Sequence, residues 1–178
     1  MKRKIFILLT RFPDRGTRTV GKLTGNYYPH ASIGLEEDMN TFYSIVTKGF
    51  IEEKLTRYDK PGRDPFPCQL YELEVSEKVY DKVKSIIEHF REFRDLIRYS
   101  KMGLAMSLLR IPYKRNRFHF FCSHFVAQVL ENSGAAKLRK KSHRYFSEDL
   151  KRLPGMRLNF QGNMRTMIQC LKLSPSIT

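Results

Sequence analysis

The sequence lacks any long apolar run, and this excludes a membrane-spanning helix. Such a helix needs about 20 largely apolar residues, whereas the unbroken apolar run near the start of the chain covers only residues 5–9. The same run follows Lys2, Arg3 and Lys4 and is too short for the core of a signal peptide. We therefore expect a cytoplasmic protein with no transmembrane segment.

Cysteine is scarce, with only Cys68, Cys122 and Cys170 in 178 residues. An odd number of widely separated cysteines argues against a disulfide framework and fits a reducing compartment. We expect three thiols.

Acidic residues are few relative to basic ones. The chain has 18 Asp and Glu against 33 Lys and Arg, so its formal net charge is +15. Basic runs at 114–117 and 137–141 suit an anionic surface, although a purely solubilising role explains them equally. No helix-turn-helix, zinc-finger or aromatic RNA-binding signature occurs, which argues against nucleic acid as a partner.

The hydrophobic content and the length of the chain predict one domain with a folded core. Hydrophobic residues make up 41% of the chain and aromatic residues 12%, which is enough to bury a core. The length suits one domain and not two with separate cores. We expect a single domain over residues 1–165 and a C-terminal tail over 166–178.

Apolar patterning predicts both strands and helices. The expected strands cover residues 5–9, 30–35, 41–46, 68–75 and 156–160, and an exposed loop covers 56–67. Apolar residues from Val79 to Ile97, including Phe90 and Phe93, recur at helical spacing after Ser76, a good N-cap. A second helix has the same spacing from Phe121 to Leu130 and ends near Gly134.

Cys122 falls in the first turn of that second helix and is the candidate nucleophile. Unpaired N–H groups and the helix dipole stabilise negative charge there, and this lowers the pKa of a thiol. The alternative is that Cys122 is a small core residue, because free cysteine is among the most buried residue types.

A nucleophilic cysteine needs a base, and His30 is the best candidate because it opens an apolar strand. His124 lies two residues after Cys122, so the helical period turns its side chain about 200° away. His119, Cys122 and His124 lack the second ligand pair of a usual zinc motif, and we expect no metal and no cofactor.

Several segments resemble a known family, the circularly permuted NlpC/P60 papain-like proteins of the YiiX/YebB-like branch. In that branch the histidine strand precedes the cysteine helix, as it does here. The resemblance runs from about residue 4 to about 160 and is carried by Ile7-Leu8-Leu9-Thr10, His30-Ala31-Ser32-Ile33-Gly34-Leu35, Tyr43-Ser44, Gly49-Phe50, Tyr71-Glu72-Leu73-Glu74-Val75, Phe121-Cys122-Ser123-His124-Phe125-Val126-Ala127 and Leu130-Glu131-Asn132-Ser133-Gly134.

The resemblance implies an α+β papain-like fold, with an antiparallel sheet packed against helices. It implies Cys122 as nucleophile, His30 as general base and Ser44, beside Tyr43, as the residue that orients the imidazole. The implied activity is hydrolysis of an amide or ester bond through an acyl-enzyme, as in cysteine peptidases and amidases. A cell-wall-derived peptide and a lipid acyl group are both open as substrates.

A second class of function also fits the sequence. The chain can be a papain-like binding module, catalytically weak or inactive, that uses its basic face for anionic partners.

Overall fold

A six-stranded antiparallel sheet organises the molecule, which is described here as a computed structural model. The structure describes residues 1–60, 62, 64–111 and 117–173. The strand order is β4-β3-β2-β1-β5-β8, and helices pack against the sheet, so the predicted α+β class is confirmed. The strands of this sheet are β1 (Lys2–Thr10), β2 (His30–Leu35), β3 (Asp38–Val46), β4 (Gly49–Lys54), β5 (Pro67–Ser76) and β8 (Arg157–Asn163).

Six helices accompany the sheet within the described part of the chain. They are α1 (Arg15–Thr24), α2 (Glu77–Glu92), α3 (Lys101–Leu108), α4 (Cys122–Ser133), α5 (Ser147–Leu150) and α6 (Met164–Leu173). Two short strands, β6 (Arg98–Tyr99) and β7 (His119–Phe120), pair in parallel beside the main sheet. None of the described helices is long and apolar enough to cross a bilayer.

Both helices with strong apolar spacing form, but α2 ends at Glu92, so the predicted positions Phe93 and Ile97 lie beyond its last turn. The Ser76 hydroxyl caps α2 by accepting a hydrogen bond from the Val79 N–H at 3.4 Å. Helix α4 begins at Cys122 and ends at Ser133, and the next residue, Gly134, has a φ of 79°, a left-handed conformation that favours glycine.

The sheet is covered on both faces because alternate residues of β1 point to opposite sides. Ile5, Ile7 and Leu9 pack into the core that includes α2 and α4. Phe6 and Leu8 pack into a second core on the other face. A strand covered on both faces is a continuous apolar run, which is the pattern at residues 5–9.

Strand register fixes the position of His30. Thr10, the last residue of β1, pairs with His30 on one side and with Cys68 on the other. His30 therefore lies at the end of the sheet where β1 stops and the chain turns into α1.

The predicted C-terminal tail requires a correction. Residues 166–173 belong to α6, in which Met167 and Ile168 are buried against the second core. The folded domain thus extends beyond residue 165, and residues 174–178 of the predicted tail lie outside the described part of the chain.

Two further segments differ from expectation. Residues 49–54 form β4, although no strand is predicted there, and the loop expected at 56–67 begins with a short 3-10 helix, Leu55–Tyr58. Phe66 is buried at the end of this loop, so the segment is not fully exposed.

Candidate active site

The ends of β2 and α4 bring His30 and Cys122 together. His30 is the first residue of β2 and Cys122 the first residue of α4, and they are only 7% and 8% exposed. The imidazole and the thiol lie close enough for each to shift the pKa of the other. Two residues 92 positions apart in sequence thus form one buried pair.

Glu53 of β4 completes a line of three side chains. Its Oε2 lies 3.3 Å from Nε2 of His30, and its side chain is buried. The Tyr58 hydroxyl donates a hydrogen bond to Oε1 of Glu53 at 2.9 Å. The Ser32 hydroxyl also lies near Glu53, but outside hydrogen-bond geometry. Because Nε2 of His30 faces the Glu53 carboxylate, Nδ1 is the ring nitrogen available to the Cys122 thiol.

The expected orienting residue, Ser44, has a different contact. Its hydroxyl donates to the carbonyl oxygen of Ala31 at 2.7 Å, which ties β3 to β2. The hydroxyl of its neighbour Tyr43 accepts a hydrogen bond from Arg91 at 3.2 Å. The structure therefore assigns the orienting contact with His30 to Glu53 and corrects the expectation for Ser44.

Sequence reasoning missed Glu53 because it missed β4. The signal was the two-residue connection between β3 and β4, which is typical of a hairpin. That signal fixes the register, in which Glu53 pairs with Phe42, but it does not reveal which neighbouring glutamate faces the histidine. Glu52 instead accepts a hydrogen bond from Arg91 at 2.9 Å.

The charges of the three groups support one another. Burial disfavours the imidazolium, but the Glu53 carboxylate and the hydrogen bond with Cys122 outweigh burial and raise the pKa of His30 to about 10. Burial likewise opposes ionisation of Glu53, yet the charge of His30 and hydrogen bonds from His30 and Tyr58 lower the pKa of this carboxyl.

The same balance lowers the pKa of the Cys122 thiol. Burial raises it, but the hydrogen bond and positive charge of His30, followed by the N–H groups of Ala31 and Ser123, more than compensate. The arrangement favours a thiolate–imidazolium pair backed by a carboxylate.

The start of α4 adds hydrogen-bond donors to the site. Its N-cap residue, Phe121, has extended backbone and provides no side-chain acceptor for the first N–H groups of the helix. In its protonated form the Cys122 thiol donates to the Pro29 carbonyl, with Sγ and O 3.7 Å apart. This end of the helix can therefore stabilise negative charge on sulfur or on a reacting oxygen.

Aromatic side chains lie beside the site, and the sequence analysis did not identify them. The ring centroid of Phe12 lies 5.2 Å from that of His30 and 4.8 Å from that of Phe66. Near Cys122, burial and then the charge of the thiolate raise the pKa of Tyr99, which keeps its phenolic proton. Phe12 and Tyr99 therefore border the imidazole and the thiol, which are only slightly exposed.

The remaining cysteines and histidines lie outside this arrangement. Cys68 is buried in the second core, and burial raises the pKa of its thiol to about 12. His124 packs its ring against Phe120 and Phe121. Among the described residues no three His, Cys, Asp or Glu side chains cluster closely enough to hold a metal ion.

Comparisons with family models and with curated proteins identify no family for this chain. No protein-family model matches the chain, and no curated protein matches it either. The resemblance to permuted NlpC/P60 proteins stays a prediction.

Proposed function

We propose that the protein is a cysteine hydrolase that cleaves an amide or ester bond through an acyl-enzyme on Cys122. The observation that carries the proposal is the buried line of Cys122, His30 and Glu53, with Nε2 of His30 3.3 Å from the carboxylate. A nucleophile, a base within hydrogen-bond reach and a third group that orients the base are what covalent acyl transfer requires.

The first half of the reaction forms the acyl-enzyme. The Cys122 thiolate attacks the substrate carbonyl, and N–H groups at the start of α4 receive the negative charge that develops on oxygen. The His30 imidazolium then gives its proton to the leaving amine or alcohol as the carbon–nitrogen or carbon–oxygen bond breaks. A thioester and a neutral imidazole remain.

The second half releases the acid. Neutral His30 takes a proton from water as the water oxygen attacks the thioester, and the thiolate leaves. Glu53 acts as a positioning residue, because it holds the imidazole through Nε2 and stabilises the imidazolium. The chemistry supports the bond class, while a peptide amide and a lipid acyl group both fit it.

Trapping of the acyl-enzyme tests this proposal. A chromogenic acyl ester added to the protein should release its alcohol in a burst and leave an acyl group that intact and peptide mass spectrometry locate on Cys122. Cys68→Ser should retain the adduct, and Cys122→Ser should lose it. Acylation of Cys170 alone, or no burst in folded protein, would instead support the non-catalytic binding module.

A further inference from the structure

The two oxygens of the Glu53 carboxylate have different partners. Oε2 lies 3.3 Å from Nε2 of His30, while Oε1 accepts a hydrogen bond from the Tyr58 hydroxyl at 2.9 Å. Glu53 is only 3% exposed, so little water reaches either oxygen. The terminal torsion of a glutamate is broad, and one contact alone does not fix the plane of the carboxylate. The contact on Oε1 therefore helps to decide how Oε2 faces the imidazole.

Aromatic neighbours hold the ring that carries this hydroxyl. The centroid of Tyr58 lies 5.2 Å from that of Phe66 and 5.6 Å from that of Phe12. Phe12 in turn contacts the imidazole of His30, with the two ring centroids 5.2 Å apart. Edge-on and tilted ring pairs at these distances are favourable. The packing restricts the ring of Tyr58 while its hydroxyl reaches Glu53.

The backbone of this segment is anchored against α6. Leu55, the first residue of the 3-10 helix Leu55–Tyr58, is buried in the second core, to which α6 also contributes. Directly after Tyr58, the carboxylate of Asp59 pairs with Nζ of Lys172 on α6 at 2.6 Å. The fold thus sets the position of the phenol by packing and, to a lesser extent, by an exposed ion pair.

The other hydroxyl beside Glu53 does not replace this contact. Ser32 is buried, and within the described part of the chain its hydroxyl has no partner in hydrogen-bond geometry. The hydrogen bond from Tyr58 stabilises the ionised carboxylate, which is the form that supports the imidazolium. Without the Tyr58 hydroxyl, Oε1 of Glu53 is a buried acceptor that has lost its donor.

We propose that Tyr58 is a positioning residue that fixes the Glu53 carboxylate and, through it, the His30–Cys122 pair. The inference rests on the proposed function, in which Glu53 orients the base. The Tyr58 hydroxyl contacts the carboxylate oxygen that His30 does not, so its effect on the thiol passes through Glu53. Loss of the hydroxyl leaves the carboxylate freer to turn and less stable as an anion, and the imidazolium loses part of its support.

Alkylation of Cys122 as a function of pH tests this role without requiring hydrolysis. Tyr58→Phe removes only the hydroxyl and keeps the ring that packs against Phe12 and Phe66. We expect the alkylation curve of Cys122 to move to higher pH, in the same direction as in Glu53→Gln but by less. On the acid side of the curve, the rate should fall about threefold, as for partial loss of a hydrogen bond to a charged group.

Tyr71→Phe is the matched control. Tyr71 is buried on β5, and its hydroxyl donates to Oε1 of Gln69 at 3.1 Å. The control therefore also removes one hydrogen bond from a tyrosine, but the acceptor is neutral and lies outside the three-residue line. We expect the wild-type alkylation curve in this variant.

A double variant separates positioning from a general effect on structure. In Glu53→Gln the carboxylate that Tyr58 supports is already absent, so adding Tyr58→Phe should move the alkylation curve little further. In hydrolysis of a model acyl ester, Tyr58→Phe alone should lower kcat about fivefold and leave KM unchanged, because the hydroxyl acts through the base and does not bind substrate. A structural role would give equal effects with and without the carboxylate.

Three results would overturn the role of Tyr58. The first is a Tyr58→Phe alkylation curve that coincides with those of wild type and Tyr71→Phe. The second is a shift of equal size in the wild-type and Glu53→Gln backgrounds. The third is a wild-type protein in which Cys122 is not alkylated at all.

The outcomes for Tyr58 and for the hydrolase are distinguishable. If Tyr58→Phe shifts the alkylation curve but no acyl-enzyme forms in the wild-type protein, Tyr58 stands as a positioning residue and the proposed hydrolase fails. If the acyl-enzyme forms on Cys122 but the Tyr58→Phe curve is unshifted, the hydrolase stands and the role of Tyr58 fails.

Discussion

Cys68 and Cys122 are both buried, but they lie in regions that favour opposite protonation states. The Cys68 thiol lies 3.8 Å from the sulfur of Met167, and burial raises the pKa of this thiol to about 12. Around Cys122, His30 and backbone N–H groups reverse the effect of burial and lower the pKa.

This difference shows that burial does not by itself determine whether a cysteine is reactive. Within the described part of the chain, burial is the one cause of the raised pKa of Cys68, so its thiol behaves as a small apolar group. The candidate active site places a cation against sulfur and then a carboxylate against that cation. Removing either support should move Cys122 toward the behaviour of Cys68.

The largest expected effect comes from Cys122→Ser. Hydrolysis of a model acyl ester should fall by about 10⁴-fold or more, because a hydroxyl ionises far less readily than this thiol. The matched control is Cys68→Ser, which changes the same atom in the other core and should leave kcat/KM unchanged. Equal activity of the wild-type and Cys122→Ser proteins would remove the nucleophile assignment.

His30→Gln should reduce turnover almost as much as Cys122→Ser does. The thiolate loses the imidazolium that stabilises it, and the leaving group loses the acid that protonates it. Combined with Cys122→Ser it should add little, because members of one catalytic unit are not additive. The substitution also leaves Glu53 buried without its partner, so we expect a loss of unfolding free energy of about 3 kcal/mol. Urea denaturation monitors the fold, and a fully additive double variant would argue against the pair.

Glu53→Gln should reduce kcat by about 10²-fold, at the low end of a general acid–base contribution. Without the carboxylate the pKa of His30 falls, so the alkaline limb of the pH–rate profile should move to lower pH. A lower rate with an unshifted profile would mean that Glu53 supports only the local structure.

The pH dependence of stability is a further difference between the regions. The raised pKa of His30 stabilises the fold below about pH 6.5, and this contribution is lost as pH rises through about 10. The lowered pKa of Cys122 acts in the opposite sense: its contribution is present above about pH 8.5 and is lost as pH falls.

From about pH 6.5 to 8.5 these two contributions cancel, because the ion pair and the unfolded chain hold the same number of protons. Stability should therefore begin to fall near pH 8.5 in the wild-type protein, but near pH 6.5 in Cys122→Ser, in which only His30 titrates. Urea denaturation at a series of pH values measures the onset, and Cys68→Ser should keep the wild-type onset. Coincident curves for wild type and Cys122→Ser would contradict the ion pair.

Ser44→Ala should have the smallest effect. The Ala31 carbonyl loses one hydrogen bond, which costs about 1 kcal/mol of unfolding free energy, while turnover should change less than about threefold. A shift of the pH–rate profile in this variant as large as that in Glu53→Gln would restore Ser44 as the orienting residue.

Local signals account for the parts of the fold and site that the sequence predicts. The start of α4 at Cys122 follows from helical spacing, and the strand that begins at His30 follows from an apolar run. Glu53 was not predictable in this way, because its contact with His30 depends on how β2, β3 and β4 align across the sheet.

Helices α6 and α3 show the same limit of prediction from local sequence. Met164, Met167 and Ile168 of α6 have helical spacing, but only the folded sheet provides the surface that buries them. On α3, Met102 is 66% exposed while Gly103 and Ser107 are buried, so apolar character alone does not predict which residues of this helix face the core.

The pH dependence of thiol alkylation tests the central claim most directly. Labelling of wild-type protein with a small alkylating reagent, followed by peptide mass spectrometry, gives a rate for each cysteine in one experiment. We predict that Cys122 reaches its plateau rate well below pH 8.5 and that Cys68 stays unlabelled. Glu53→Gln should shift the Cys122 curve to higher pH, while Ser44→Ala should leave it unchanged. A Cys122 rate that rises only above about pH 8.5, as for an ordinary thiol, or that is as slow as the Cys68 rate, would contradict the account.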